Sequence, residues 1–475
     1  MSSIILDHAE GIKRIQLNIM TSNLCKLLIA AVVGISVVIA EKPATLPTKQ
    51  TAQDISYGLT NMACRLSVQL QSNNTKTDII SPLSIGSSLM LLMRTAKGST
   101  RKQLLSLLQL QKIVMNNSRI PRNFHRLLLE LLDGVQAETI LEDPPRWMNQ
   151  SKCVEDDSDD YDDYPAYDEE EEDPGKATVV RLANAIFVQD GMFNNSRLER
   201  KVKQYYYSTV ENLDFFGAPD AAMKHINEWA NNKTYGRIPS VLSENPNRET
   251  LMMVANAVYF KAFWEDVFLR KATKPRDFFP NGEDKEPVKA DMMAHNGCFP
   301  YYSSKELDAR IMGFPYIGRT FTMYVIQPNN SSRTKLQDLM GKLNAHTLDG
   351  LISNMTMRTA MVLFPRMDIS NSFELKPMLE KLGVTAMFND GQSDFSLLNP
   401  GAPAESARAT VNQVIHKVKL TIDENGTEGA AVTVTLIDRT IPAVNFRANT
   451  PFVVAIRHDA TKLLLFYGPV YDPSG

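Results

Sequence analysis

The chain reads as an α+β protein, and three observations carry that reading. Its 475 residues are 43% hydrophobic and 22% charged, the balance of an ordinary globular protein with a sizeable core, built as one large domain or two. Ile55, Leu59, Met62, Ala63, Leu66 and Leu70 recur at helical spacing. The stretch from Glu424 onward alternates with period two instead. Thr427, Gly429, Ala431, Thr433 and Thr435 fall on one parity, and Glu428, Ala430, Val432, Val434 and Leu436 on the other. A strand built from it has a narrow face able to enter a crowded sheet. No repeat with a period of roughly 20–50 residues is visible, which argues against a solenoid or propeller.

Near the N-terminus Lys26 precedes an unbroken apolar or small run, Leu27 to Ala40, ending in Val38-Ile39-Ala40. At about 14 residues the run is too short to span a bilayer and fits a cleavable signal peptide over residues 1–40, for which Met20 is the more usual start. The protein is therefore expected to be secreted and extracellular. Secretion gives meaning to the acceptor sequons at Asn73, Asn116, Asn149, Asn194, Asn232, Asn329, Asn330, Asn354 and Asn425, several of which should lie on exposed loops. Cys25 leaves with the leader, so Cys64, Cys153 and Cys298 remain, enough for one internal disulfide and one odd thiol. Which two pair is open.

Residues 41–53, with Pro43, Pro47 and several threonines, read as a linker. A helix follows from Asp54 to Leu70. Ile79-Ile80-Ser81-Pro82-Leu83-Ser84-Ile85 then suggests a short strand feeding a buried helix, with Ser81 or Ser84 near its cap. Ala96-Lys97-Gly98-Ser99-Thr100 comes next. Further on stand Leu182 to Val188, Leu213-Asp214-Phe215, Ile226-Asn227-Glu228-Trp229, Asn232 to Ile238, Val254 to Trp264, Thr273 with Phe278, Met292-Met293, Ala407 to Lys419, and Pro451-Phe452 through Phe466 to Val470.

In that order these motifs resemble the serpins, over residues 54–475. The resemblance implies a serpin fold: three β-sheets, about nine helices, a five-stranded central sheet and an exposed reactive loop, here 424–445. It implies a suicide substrate. A protease cuts the loop, the hinge enters the central sheet as a new strand, and the acylated protease is dragged along and trapped. The hinge would comprise Glu424, Gly426, Thr427, Glu428, Gly429, Ala430, Ala431, Val432 and Thr433, small enough to insert. Ser81, Ser84, Asn256 and His416 would form a hydrogen-bonded shutter beneath it, and Trp264 would sit at the breach where the hinge enters. Many relatives carry Lys after Met-Met; Ala294 stands there, so no salt bridge to Glu424 is expected. A glycan on Asn425 would hinder opening.

The family's spacing counted forward from Gly426 reaches Thr440, and counted back from Phe446 reaches Ile437 or Asp438. Arg439, the one basic residue between these limits, is chosen, which makes Arg439–Thr440 the reactive bond and a trypsin-like serine protease the target. The competing reading is a non-inhibitory serpin acting as carrier or binding module. An enzyme is disfavoured: there is no Gly-x-Ser-x-Gly, no His-Glu-x-x-His, no phosphate loop and no Cys-x-x-Cys. No cofactor, catalytic metal, nucleic acid or membrane partner is indicated, and a monomer is expected.

Residues 141–175 depart from the family. Glu155 to Asp173 holds 13 acidic residues and no basic one, so a chain of net charge −3 is +10 without it. Such a run is expected to stay disordered. Tyr161, Tyr164 and Tyr167 lie in the acidic surroundings where tyrosine sulfation occurs. The insert follows a helix over Asn123 to Leu132 that the resemblance equates with the one where some serpins bind heparin. Arg119, Arg122, His125 and Arg126, with Arg101 and Lys102 upstream, would meet the insert or a heparin-like polyanion.

Overall fold

The computed structural model describes residues 49–71, 76–111, 119–133, 144–150, 153, 178–401, 409–427 and 442–474, all within the unit Pro47–Gly475. Helix α1 (Lys49–Leu70) buries the six apolar residues of the helical stripe. It begins inside what the sequence reads as linker, ahead of Asp54. Helix α2 (Pro82–Thr95) is buried except at Arg94. Pro82 in its first turn and the Ser81 hydroxyl, which accepts from the Ser84 amide at 3.3 Å, set its start. The strand expected before it is reduced to a bridge: Ile80 and Tyr467 exchange both backbone hydrogen bonds at 2.9 Å.

Helices α3 (Gly98–Leu107) and α4 (Arg119–Asp133) follow, then strand β1 (Val179–Gln189), α5 (Ser196–Tyr206), β2 (Thr209–Leu213), α6 (Pro219–Lys233) and β3 (Met252–Phe263). The next strands are β4 (Lys274–Phe278), β5 (Val288–Ser304), β6 (Ala309–Pro315) and β7 (Phe321–Pro328). Helices α7 (Arg333–Lys342) and α8 (Ala345–Ser353) lead to β8 (Thr356–Pro365), β9 (Met367–Glu374) and α9 (Lys376–Lys381). The chain closes with β10 (Val411–Asp423), β11 (Gly426–Thr427), β12 (Val444–Arg447), β13 (Phe452–His458) and β14 (Leu463–Val470).

The central sheet runs β2-β1-β3-β11-β10-β9. Five of these are full strands, as expected; the sixth, β11, is two residues long. The other sheet runs β12-β8-β5-β6-β7-β13-β14, with β4 on β5. The two smaller sheets implied by the resemblance are thus joined, because the 17-residue β5 pairs with β4 and β8 over most of its length and with β6 at its end.

Period-two patterning decides what β3 touches. Val254, Val258, Phe260 and Ala262 face the main core with α2, while Met253, Ala255 and Ala257 join Ala183, Ala185 and Phe187 of β1 beneath Ile226 and Trp229 of α6. Alanines on that face let α6 lie close over β1 and β3. The disulfide joins Cys153 to Cys298 of β5, and Cys64 is the buried free thiol.

Candidate functional site

At its far end β10 turns over Asp423, whose carboxylate accepts from the Asn425 amide at 2.8 Å and the Gly426 amide at 3.2 Å. The turn feeds β11 between β3 and β10. Gly426 and Thr427 pair antiparallel with Phe263 and Ala262 on one side, and with Asp423 and Ile422 on the other. Gly426 has φ +151°, and a Cβ there would lie 2.1 Å from the Ala262 carbonyl oxygen, so only glycine fits. The Thr427 hydroxyl shares a 2.8 Å hydrogen bond with the Tyr316 hydroxyl, and both residues are fully buried.

Glu424, 1% exposed, anchors this turn. Its carboxylate accepts from the Thr273 hydroxyl at 2.6 Å and from the Arg366 guanidinium, and its carbonyl accepts from the Phe268 amide at 2.9 Å. The expected absence of a salt bridge at Glu424 is therefore wrong. Ala294 pairs with Leu363 in the second sheet, and the cation comes instead from Arg366, between β8 and β9. Burial pushes the Glu424 carboxyl up, but hydrogen bonds from Thr273, its own backbone and Arg366 outweigh that and hold it below the usual value. Arg366→Ala strands this carboxylate and should cost about 1–2 kcal/mol, discounted for the exposure of Arg366, with partial rescue by lysine; the urea midpoint at pH 7.5 measures it.

Trp264, the expected breach residue, packs against this turn. Its indole N–H donates to the Asp423 carbonyl at 3.0 Å, its amide to the Asn425 carbonyl at 2.8 Å, and its ring stacks on Tyr316 with centroids 4.4 Å apart. Asn425 is itself 1% exposed and its side-chain amide donates to Asp423, so a glycan there is incompatible with the seated hinge and that sequon is withdrawn. Asn149, Asn194, Asn232, Asn330 and Asn354 are exposed and Asn329 is half-buried. Asn73 and Asn116 lie outside the described residues. So do Arg439 and Thr440, the hinge from Glu428 to Thr433, and Tyr161, Tyr164 and Tyr167.

Deeper in the sheet the shutter residues meet. His416 Nε2 accepts from the Ser81 amide at 2.9 Å, the Ser84 hydroxyl donates to the Asn184 side chain at 2.8 Å, and the Ser88 hydroxyl donates to Asn256. Asn256 stands opposite Asn184 on β1 and His416 on β10, and its amide donates across to the Ile415 carbonyl at 3.3 Å. That bond ties β3 to β10 beside their backbone ladder. Ser88 and Asn184 were missed, though both left a signal. Ser81, Ser84 and Ser88 recur at one helical face, and Ala-Asn-Ala appears in β1 and again in β3.

Burial pushes His416 down to about 3, so the ring is neutral and carries its proton on Nδ1. A base depressed in the folded state contributes stability above its ordinary value near 6.5 that is lost progressively as pH falls towards 3. His416→Gln keeps an acceptor without that titration. The stability gap between wild type and this variant should narrow by about 2 kcal/mol from pH 7 to pH 5, read from denaturation midpoints.

The basic residues near α4 are divided. Lys201 of α5 is held down by burial and then by Arg94, Arg197 and Arg122, and Arg101 by burial and then by Arg94. Arg126 instead lies near Glu130, and His125 packs on Tyr205 and Tyr207. The cation cluster is thus Arg94, Arg101, Arg122, Arg197 and Lys201, which sequence position alone does not assemble. Lys102 is exposed, and the side chain of Arg119 lies outside the described residues.

The flanks of the acidic insert reach the same end of β3 as the hinge. On one side Arg319, paired with Glu265, donates to the Met148 and Gln150 carbonyls, and Cys153 is bonded to Cys298. On the other side Val179 opens β1 opposite Lys261. Among the described residues no cluster of His, Cys, Asp and Glu could hold a metal ion, and no helix is long and apolar enough to cross a membrane.

Comparison with known proteins matches residues 57–473 to the family model described as Serpin (serine protease inhibitor). Serine protease inhibitor 28Dc of Drosophila melanogaster is 34% identical over 91% of this chain and 83% of that protein. Leukocyte elastase inhibitor of Xenopus tropicalis is 26% identical over 89% of this chain and 100% of that protein. Among solved structures, mouse protein-Z dependent protease inhibitor superposes with TM-score 0.71 at 21% identity, covering 90% of this chain and 99% of that one. Human thyroxine-binding globulin, complexed with its hormone, gives TM-score 0.71 at 20% identity over 90% of this chain and 100% of that one. At such identities these two speak for the fold alone.

Proposed function

The chain belongs to the serpin family, and we propose that it is a secreted suicide inhibitor of a trypsin-like serine protease, cut at Arg439–Thr440. The observation that carries this reading is the seated hinge: Gly426 and Thr427 already occupy the space between β3 and β10. Below them β3 and β10 pair parallel from Met252 to Val258. Insertion of the loop replaces that single parallel ladder by two antiparallel ones, the stronger pattern per residue, and gives the new strand a neighbour on each edge. Gly429, Ala430 and Ala431 of the hinge that follows are small, so the leading end meets little resistance. A strand of about 13 residues moves its end some 40 Å. That displacement deforms the acylated protease before water releases it, since small geometric errors cost orders of magnitude in rate.

Thyroxine-binding globulin shares the fold while holding a hormone, so the carrier reading is the alternative. Mixing the mature protein with trypsin separates the two. An SDS-stable complex of summed mass and a released peptide beginning at Thr440 are expected. Complete cleavage without complex would favour the carrier. The cluster of Arg94, Arg101, Arg122, Arg197 and Lys201 fits a sulfated polyanion. The acidic insert, whose flanks stand beside the hinge, fits a protease with a basic exosite.

A further inference from the structure

A second set of cations lies elsewhere, against the hinge. Arg270, Lys271, Lys274 and Arg276 are all exposed, and no hydrogen bond or ion pair joins the side chain of any of them to another described residue. Nearby Lys289, by contrast, is paired with Asp277. Lys274 and Arg276 share one face of β4, about 7 Å apart. Arg270 and Lys271 stand in the short turn Arg270–Ala272 just before that strand. Among the described residues β4 pairs only with β5, so no described strand covers its other edge, and Pro275 on it lacks an amide donor. That edge disfavours an added peptide strand but not a ligand held by charge. Protection of an edge accounts for Lys274, Pro275 and Arg276 and leaves Arg270 and Lys271 unexplained, since they precede the strand.

The position of the turn gives the strip its consequence. Residues 268 and 273 both grip Glu424, through the Phe268 amide at 2.9 Å and the Thr273 hydroxyl at 2.6 Å, and Arg270 and Lys271 fall between them. Arg270 also lines an open cleft of about 680 Å³ with Arg366, Asp423 and Glu424. We propose that Arg270, Lys271, Lys274 and Arg276 form a binding strip for a sulfated polysaccharide, and that its occupancy is transmitted through the Phe268–Thr273 segment to Glu424 and the seated hinge. The ligand chemistry is a chain of closely spaced oxyanions; the choice of sulfate rests on the secretion proposed above. A ligand that shifts this segment changes the grip on Glu424, and by linkage a change in the hinge alters affinity for the ligand.

The test uses the full chain carrying Arg122→Ala, Arg197→Ala and Lys201→Ala, so that affinity does not come from the helical cluster. A heparin hexasaccharide should bind this protein in a salt-dependent way. Adding Lys271→Ala, Lys274→Ala and Arg276→Ala should weaken it at least about tenfold near 0.15 M salt and flatten the salt dependence. Equal affinity with and without the strip would overturn the site, and tighter binding of a polyphosphate of matched charge would overturn the sulfated ligand. Saturating hexasaccharide should also change Trp264 emission, because that indole donates to Asp423 beside the anchor, and Thr273→Val should remove the change while keeping the affinity. Unchanged emission at saturation, or a full change in Thr273→Val, would overturn the coupling. Neither readout involves a protease, so both stand or fall independently of the inhibitory reading.

Discussion

Replacing Thr427 with arginine is expected to abolish trapping while leaving cleavage of the loop intact. Thr427 is fully buried between Ala262 of β3 and Ile422 of β10, with its hydroxyl on Tyr316. Arginine there must bury a charge in a position that holds a small side chain, or withdraw the hinge from the sheet. Insertion competes with hydrolysis of the acyl-enzyme, so a penalty of only about 3 kcal/mol on insertion shifts the partition roughly a hundredfold towards hydrolysis. The number of inhibitor molecules consumed per protease trapped should rise by that order, while the cleavage rate changes little. An unchanged stoichiometry would mean that Thr427 does not lead the insertion. Thr427→Ser keeps the hydroxyl and should behave close to wild type.

The second large effect concerns the bait. Arg439→Ala removes the group that a trypsin-like pocket binds through its buried carboxylate, which is left unpaired. Association with trypsin should slow by about a thousandfold or more, the hinge and the sheet remaining as they are. Second-order rate constants measure it. Undiminished inhibition of trypsin by this variant would move the reactive bond elsewhere in the loop.

How legible this arrangement was in the sequence depended on distance along the chain. The helix around Leu59 to Leu70 was readable because its signal lies within a few neighbouring residues. The shutter was half readable. Ser81, Ser84, Asn256 and His416 came from motifs, while Ser88 and Asn184 needed the helical face and the register of β1 on β3. Arg366 was not readable: it stands 58 residues from Glu424, and only the fold brings the two together. Looking for a lysine at Ala294 sought the right charge from the wrong strand. The pairing of Cys153 with Cys298 likewise spans 145 residues, and nothing local distinguishes it from the alternatives. Arg197 and Lys201 were not readable as partners of Arg122, because they come from α5 and only the fold brings them beside α4. The Asn425 sequon was a local signal overruled by burial, since the turn that seats Gly426 also encloses its neighbour.

The central claim is that the loop becomes a strand of the central sheet once it is cut. The measurement that tests it most directly is the thermal midpoint of the protein before and after cleavage between Gly426 and Val444 by any protease, the two fragments remaining together. Insertion adds a strand of about 13 residues hydrogen-bonded on both edges, so the cleaved protein should melt at least about 20 °C higher than the intact one. Cleaved and intact proteins melting together would contradict the account, whatever protease the loop attracts.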